Sequence, residues 1–154
     1  MATADGRETM NTTTRQAWMG VLARATRGEL EALVARAGVM PGYSVLKPAE
    51  TGTIMVEARA GGTGRRFNLG EATLSRCVVR LADGTIGFAY ALGTDRVKAT
   101  LSAVIDAMLQ QGANPVLAEG VAELRRRQDD ARTLALRKAA ATKVDFFTMV
   151  RGHD

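Results

Sequence analysis

The sequence predicts an α+β domain: an antiparallel sheet of about four or five strands, flanked by N-terminal helices and by two C-terminal helices. Three observations carry this. Apolar residues recur at helical spacing near both ends of the chain, they alternate with polar ones across its middle, and Asp83-Gly84 separates two alternating runs. Helices, then strands, then helices is the order of a segregated α+β fold rather than of repeated βαβ units. The 154 residues fit one domain with one core.

Residues 1–13 are polar and without periodicity, and are read as a flexible extension to a domain spanning 14–154. From Thr14, Ala17, Trp18, Val21, Leu22 and Ala25 form a helical stripe with Trp18 as its packing anchor. Thr26-Arg27-Gly28-Glu29 is a capping box that restarts a helix, with Leu30, Leu33, Val34 and Ala37 as its buried stripe and Gly38 and Pro41 as its stop. Tyr43 to Lys47 reads as a short strand and Thr53 to Ala60 as a clearer one. In the latter Ile54, Val56, Ala58 and Ala60 alternate against Thr53, Met55, Glu57 and Arg59, as a strand buried on one face requires. Arg65 to Asn68 resumes the sheet after a glycine turn. Leu74 to Leu81 and Thr85 to Leu92 form a hairpin about Asp83-Gly84, with a type I′ turn expected, and Ile86, Phe88, Tyr90 and Leu92 share one face. Thr94-Asp95 caps a helix with Val97, Leu101, Val104, Ile105, Met108 and Leu109 on its stripe, stopped by Gly112. After Asn114-Pro115 a polar helix runs to about Ala141 on a narrow stripe of Leu117, Val121, Leu124, Ala131 and Leu134, interrupted by Gln128. Segment 142–152, with the apolar run Val144 to Val150, reads as a docking segment whose Phe146, Phe147, Met149 and Val150 are candidate partner contacts.

The chemistry this chain can do alone is narrow. Its single cysteine, Cys77, excludes an internal disulfide and a multi-cysteine metal site, and fits a reducing compartment. Cys77 lies in phase with Val79 and Leu81, as a buried small hydrophobe does. The one histidine is His153, where no held catalytic geometry is expected, so no catalytic residue and no metal site are assigned. No apolar run has membrane-spanning length and no signal-peptide core precedes residue 14, which predicts a cytoplasmic protein with no membrane partner.

Charge is the remaining signal, with 21 Lys and Arg against 16 Asp and Glu. An excess of arginine suits phosphate, carboxylate or an acidic partner. Arg125-Arg126-Arg127, Arg132 and Arg137 read as a solvated helix face, and a small nucleic-acid-binding module is the alternative that this helix leaves open. Gly61-Gly62-Thr63-Gly64-Arg65, with Arg59, is either a glycine-rich turn or a loop whose amides and guanidinium groups hold an anion. Arg76 and Arg80 share one strand face and call for a carboxylate partner, internal or from another chain. Glu50, Glu57 and Glu71 are the nearby candidates for structural ion pairs.

Taken in order, Arg15-Gln16-Ala17-Trp18-Met19, Ala49-Glu50-Thr51-Gly52, Ala58-Arg59 through Gly61-Gly62-Thr63-Gly64 to Phe67, and Gly70-Glu71-Ala72-Thr73-Leu74 with Arg76 form a recognisable series. Val79-Arg80-Leu81, Asp83-Gly84-Thr85, Gly87 and the closing Val144 to Gly152 complete it. With these motifs the chain resembles the PhnG subunit family of the carbon–phosphorus lyase core complex. The resemblance covers Arg15 to Gly152 and is weakest over Ala113 to Ala141. It implies a partner in a hetero-oligomer with subunits of types H, I and J, closest to type I, in phosphonate catabolism. That assembly is expected to displace adenine from MgATP with methylphosphonate, giving α-D-ribose 1-methylphosphonate 5-triphosphate. The resemblance implies that this chain assists as a transferase subunit, binds no cofactor of its own, and is inactive in isolation. On that reading Arg59, Gly61, Gly62, Thr63, Gly64 and Arg65 help shape a shared anionic pocket.

Overall fold

The computed structural model describes residues 4–38 and 40–142, with side chains described from Thr13 onward. In chain order the elements are α1 (Ala4–Arg24), α2 (Arg27–Ala37), β1 (Tyr43–Arg59), a short 3₁₀ turn (Ala60–Gly62), β2 (Arg66–Leu81), β3 (Ile86–Leu92), α3 (Arg96–Gln111) and α4 (Pro115–Ala141). The α+β class and the antiparallel sheet are as expected, but the described sheet has three strands in the order β1-β2-β3.

The strand count falls because two anticipated breaks are absorbed as irregularities. The expected strands Tyr43–Lys47 and Thr53–Ala60 merge into one 17-residue strand that ends at Arg59, and Arg65–Asn68 and Leu74–Leu81 merge into one of 16 that begins at Arg66. The register shifts between Val45 and Lys47, between Lys47 and Glu50, and between Val56 and Glu57. Pro48 falls within such a shift on an edge strand, where its missing N–H breaks little of the ladder. The β2–β3 turn also differs from expectation. Type I′ needs positive φ at Asp83 as well as Gly84, yet only Gly84 has it, at 90°. Instead Gly84 N–H donates to Leu81 O at 3.0 Å and Leu81 N–H to Thr85 O at 2.9 Å, a three-residue loop closed by a left-handed glycine.

The helices start where their caps allow. Thr26 accepts from the Glu29 N–H while Glu29 accepts from the Thr26 N–H at 2.8 Å, completing the capping box of α2. Asp95 caps α3 and Asn114 caps α4, with Pro115 in its first turn. Helix α1 begins at Ala4 rather than Thr14, since each added residue extends a formed helix at little cost.

The core lies between one sheet face and the helices. Ala99, Ala103 and Ala107 of α3, four residues apart and fully buried, stand against the small residues Gly87, Ala89 and Ala91 of β3. A Cβ on Gly87 would sit 2.0 Å from Ala103 O, so the helix backbone rests directly on the strand. Helices α2 and α4 pack on α3 away from the sheet and α1 lies against both α3 and β3, so α3 is buried on nearly every face from Lys98 to Met108.

Two elements leave this core. Helix α4 buries Leu117, Val121 and Leu124, and Gln128 then donates to Val21 O at 3.0 Å and accepts from Arg24 Nε at 3.1 Å, satisfying the end of α1. Beyond it Ala131 and Leu134, expected on the stripe, are exposed, because among the described residues no element covers them. The other is the β1–β2 hairpin. Past Leu74 every residue of β2 towards the tip is exposed except the half-buried Ala72, and the eight steps along the strand from Leu74 to Arg66 carry the tip about 26 Å outward.

Candidate functional site

The projecting hairpin retains the alternation seen in the sequence. Ile54, Val56 and Ala58 share one face, joined by Phe67 opposite Ala58. Glu57 and Arg59 share the other, joined by Asn68 and Arg66, because the register shift at Val56/Glu57 leaves Leu69 as the extra residue of β2. The burial expected of Ile54 and Ala60 is not found: Ile54 is exposed, and Ala60 lies exposed in the 3₁₀ turn. Alternation marks an amphipathic strand, whereas burial also needs a layer to cover it.

At the tip, turn geometry accounts for the glycines. Gly61 and Gly62 have φ of 59° and 84°, and a Cβ on Gly64 would lie 2.5 Å from Ala60 O. Gly64 N–H donates to Ala60 O at 2.8 Å, Thr63 N–H reaches the same oxygen, and Ala60 N–H donates to Arg65 O at 3.1 Å. Those three amides are thereby used inside the loop. The arginines are less fully engaged. Arg59 and Arg66 stand opposite each other in the ladder. Arg59 donates to Gly64 O at 3.3 Å, Arg66 lies 3.6 Å from Glu57, and the side chain of Arg65 has no hydrogen bond or ion pair among the described residues. Three exposed guanidinium groups thus face one carboxylate, which leaves the tip cationic and open to an anion.

Nearer the core, Glu50 receives Arg76 and, at 3.1 Å, Lys47. Hydrogen bonds from Lys47 and then Arg76 hold its carboxyl below the ordinary range. Arg80 and Glu71 are both exposed and form no ion pair among the described residues. Phe146, Phe147, Met149 and Val150 lie outside the described residues.

Sequence reasoning missed a polar centre behind the sheet. Fully buried Asp106 accepts from Arg15 Nη2 at 2.7 Å, Arg15 Nε at 3.2 Å, Trp18 Nε1 at 2.8 Å, Phe88 N–H at 2.9 Å and Gln110 Nε2 at 3.2 Å. Arg15 also lies over the Phe88 ring, 5.3 Å from its centroid, and donates to Ile86 O at 3.3 Å. These groups satisfy the free edge of β3 and lock α1 to α3. Lys98 does similar work at the other end of the strand: its buried ammonium donates to Ala23 O at 2.9 Å and Leu92 O at 3.1 Å, and burial lowers its pKa. The signal available was an acid and a lysine embedded in an otherwise apolar helical run. Cys77 is buried as expected, and burial raises its pKa. Among the described residues, no group of three or more His, Cys, Asp or Glu is placed to hold a metal, and no helix is long and apolar enough to cross a membrane.

Comparison with known proteins decides what this scaffold is. Residues 13–152 match the family described as phosphonate metabolism protein PhnG. The chain belongs to the PhnG family. A relative from Rhizobium meliloti (strain 1021), named alpha-D-ribose 1-methylphosphonate 5-triphosphate synthase subunit PhnG, is 43% identical over 141 residues, covering 91% of this chain and 90% of the relative. Membership places the chain in phosphonate metabolism and gives no support to the nucleic-acid alternative. In the arginine helix, Arg125 and Arg127 lie 3.8 and 3.6 Å from Asp129 and Glu29.

Proposed function

We propose that this chain is an accessory subunit of an α-D-ribose 1-methylphosphonate 5-triphosphate synthase in the cytoplasm, and that its hairpin delivers arginines to the triphosphate of the substrate. In that reaction a phosphonate oxygen bonds to C1′ of the ribose of MgATP while the C1′–N9 bond breaks and its electron pair leaves with adenine. Subunits of types H, I and J complete the assembly, with type I closest and carrying the bond exchange, and this chain holds no cofactor of its own. The apolar run bearing Phe146, Phe147, Met149 and Val150 serves as a docking segment to these partners.

The observation that carries the reading is the cationic tip: Arg59, Arg65 and Arg66 against Glu57 alone, about 26 Å from the last buried residue of the strand. A guanidinium held so far from its own core is of use inside a neighbour, where excluded water strengthens its hold on phosphate. Arg65 is the group least committed to the loop. A charge-assisted hydrogen bond contributes about 1.5–3 kcal/mol, so Arg65→Ala should lower product formation per assembled complex by about tenfold to a hundredfold, with subunit stoichiometry unchanged. Wild-type turnover in the intact assembly would refute the role of the tip.

A further inference from the structure

Among the described residues no helix layer covers one face of the sheet, and Arg15 of α1 reaches it at the β3 edge, over the Phe88 ring. Phe67, Ile54, Leu92, Tyr90 and Phe88 lie on that face, and each is between 38% and 54% exposed. The large side chains of β3 point outward here while Gly87, Ala89 and Ala91 face α3. An antiparallel sheet with one face on its core ordinarily presents polar residues on the other. This face instead carries large exposed apolar side chains on the arm and on β3, beside a charged stretch of β1 and β2, and exposed apolar groups of this size mark an interaction site.

Its size suits a protein partner. The 7 residues of β3 alongside two neighbouring strands, plus the seven residue pairs of the two-stranded arm beyond them, project an area of about 550 Å². That approaches the ~800 Å² per partner of a standard interface, before side-chain relief is counted. Charge then selects the kind of partner. Lys47, Arg76 and Arg80 stand on this face; Glu50 pairs with Lys47 and Arg76, and Arg80 has no ion pair among the described residues. A second copy docking face to face would set this cationic surface against itself.

We infer that this face is the seat of a different subunit of the synthase, one presenting an apolar surface with a carboxylate opposite Arg80. The inference rests on the accessory-subunit reading but not on the arginine tip reaching substrate, since it concerns assembly rather than turnover. Seating a subunit here would also orient the arm along that neighbour.

The test is coassembly of the full chain with the remaining synthase subunits, measured by size exclusion and by titration. Ile54 and Tyr90 are exposed, so the double variant Ile54→Asp/Tyr90→Asp should retain the wild-type far-ultraviolet spectrum as an isolated chain while losing at least a hundredfold in affinity. Arg80→Glu should weaken assembly about tenfold, with the loss shrinking at high salt. Wild-type affinity in both variants would overturn the inference. So would a wild-type homodimer that the double variant dissociates, which would assign the face to a second copy, or capture by anionic phosphatidylserine vesicles in place of subunits. Failure of the wild-type chain to coassemble would instead overturn the subunit reading itself.

Discussion

Replacing Asp106 by Asn tests the buried polar centre with almost no change in volume. Five N–H groups converge on the two oxygens of Asp106: two from Arg15 and one each from Trp18, Phe88 and Gln110. An amide offers one oxygen, and its NH₂ must then face donors. On the Oδ1 side these are Arg15 Nε and Trp18; on the Oδ2 side they are Arg15 Nη2, Phe88 and Gln110. Either orientation strands at least two donors, each costing about 1–3 kcal/mol, and removes the partner of a guanidinium whose side chain is 28% exposed. Breaking a buried pair in this way costs about 3–5 kcal/mol. Urea unfolding reports it, since Trp18 is the sole tryptophan and sits at the junction. The midpoint should fall by more than about 1 M by both fluorescence and circular dichroism. A loss below about 1 kcal/mol would refute the claim that this carboxylate fastens α1 to α3 and β3.

Other perturbations follow from the same packing and capping. Gly87→Ala should destabilise the fold by about 1–3 kcal/mol or more, because its methyl would meet Ala103 O on the backbone of α3; an unchanged melting temperature would contradict the direct strand-to-helix contact. The Glu29 carboxyl is held low, first by the Thr26 N–H and despite opposing burial. A depressed folded pKa gives stability that is present above the ordinary glutamate value of 4.5 and lost as pH falls through the folded value. Glu29→Gln should therefore destabilise near neutrality and converge with the wild type in acid, as measured by thermal unfolding across pH.

The capping box of α2 was legible because it is local: Thr26 and Glu29 are three residues apart and settle their own geometry. The alternation of Ile54, Val56 and Ala58 was legible too, but not its outcome, because alternation names a face and leaves open what covers it. The same holds for β3, where Phe88 and Tyr90 look like core residues until α3 is seen to rest on Gly87 and Ala89. Arg76 and Arg80 were expected to need carboxylates, internal or from another chain, and among the described residues only Arg76 has one. Asp106 was overlooked because its donors lie up to 91 residues away in sequence, beyond any periodic pattern. At the hairpin tip the glycines and arginines read as one motif, whereas turn geometry explains the glycines and leaves the arginines to a different purpose.

The central claim is that this chain supports chemistry carried by other subunits, and adenine release from MgATP in the presence of methylphosphonate measures it most directly. The isolated chain should release none, the remaining subunits without it should be impaired, and adding the chain back should restore the rate. Release of adenine by the isolated chain, or a full rate in its absence, would contradict the account.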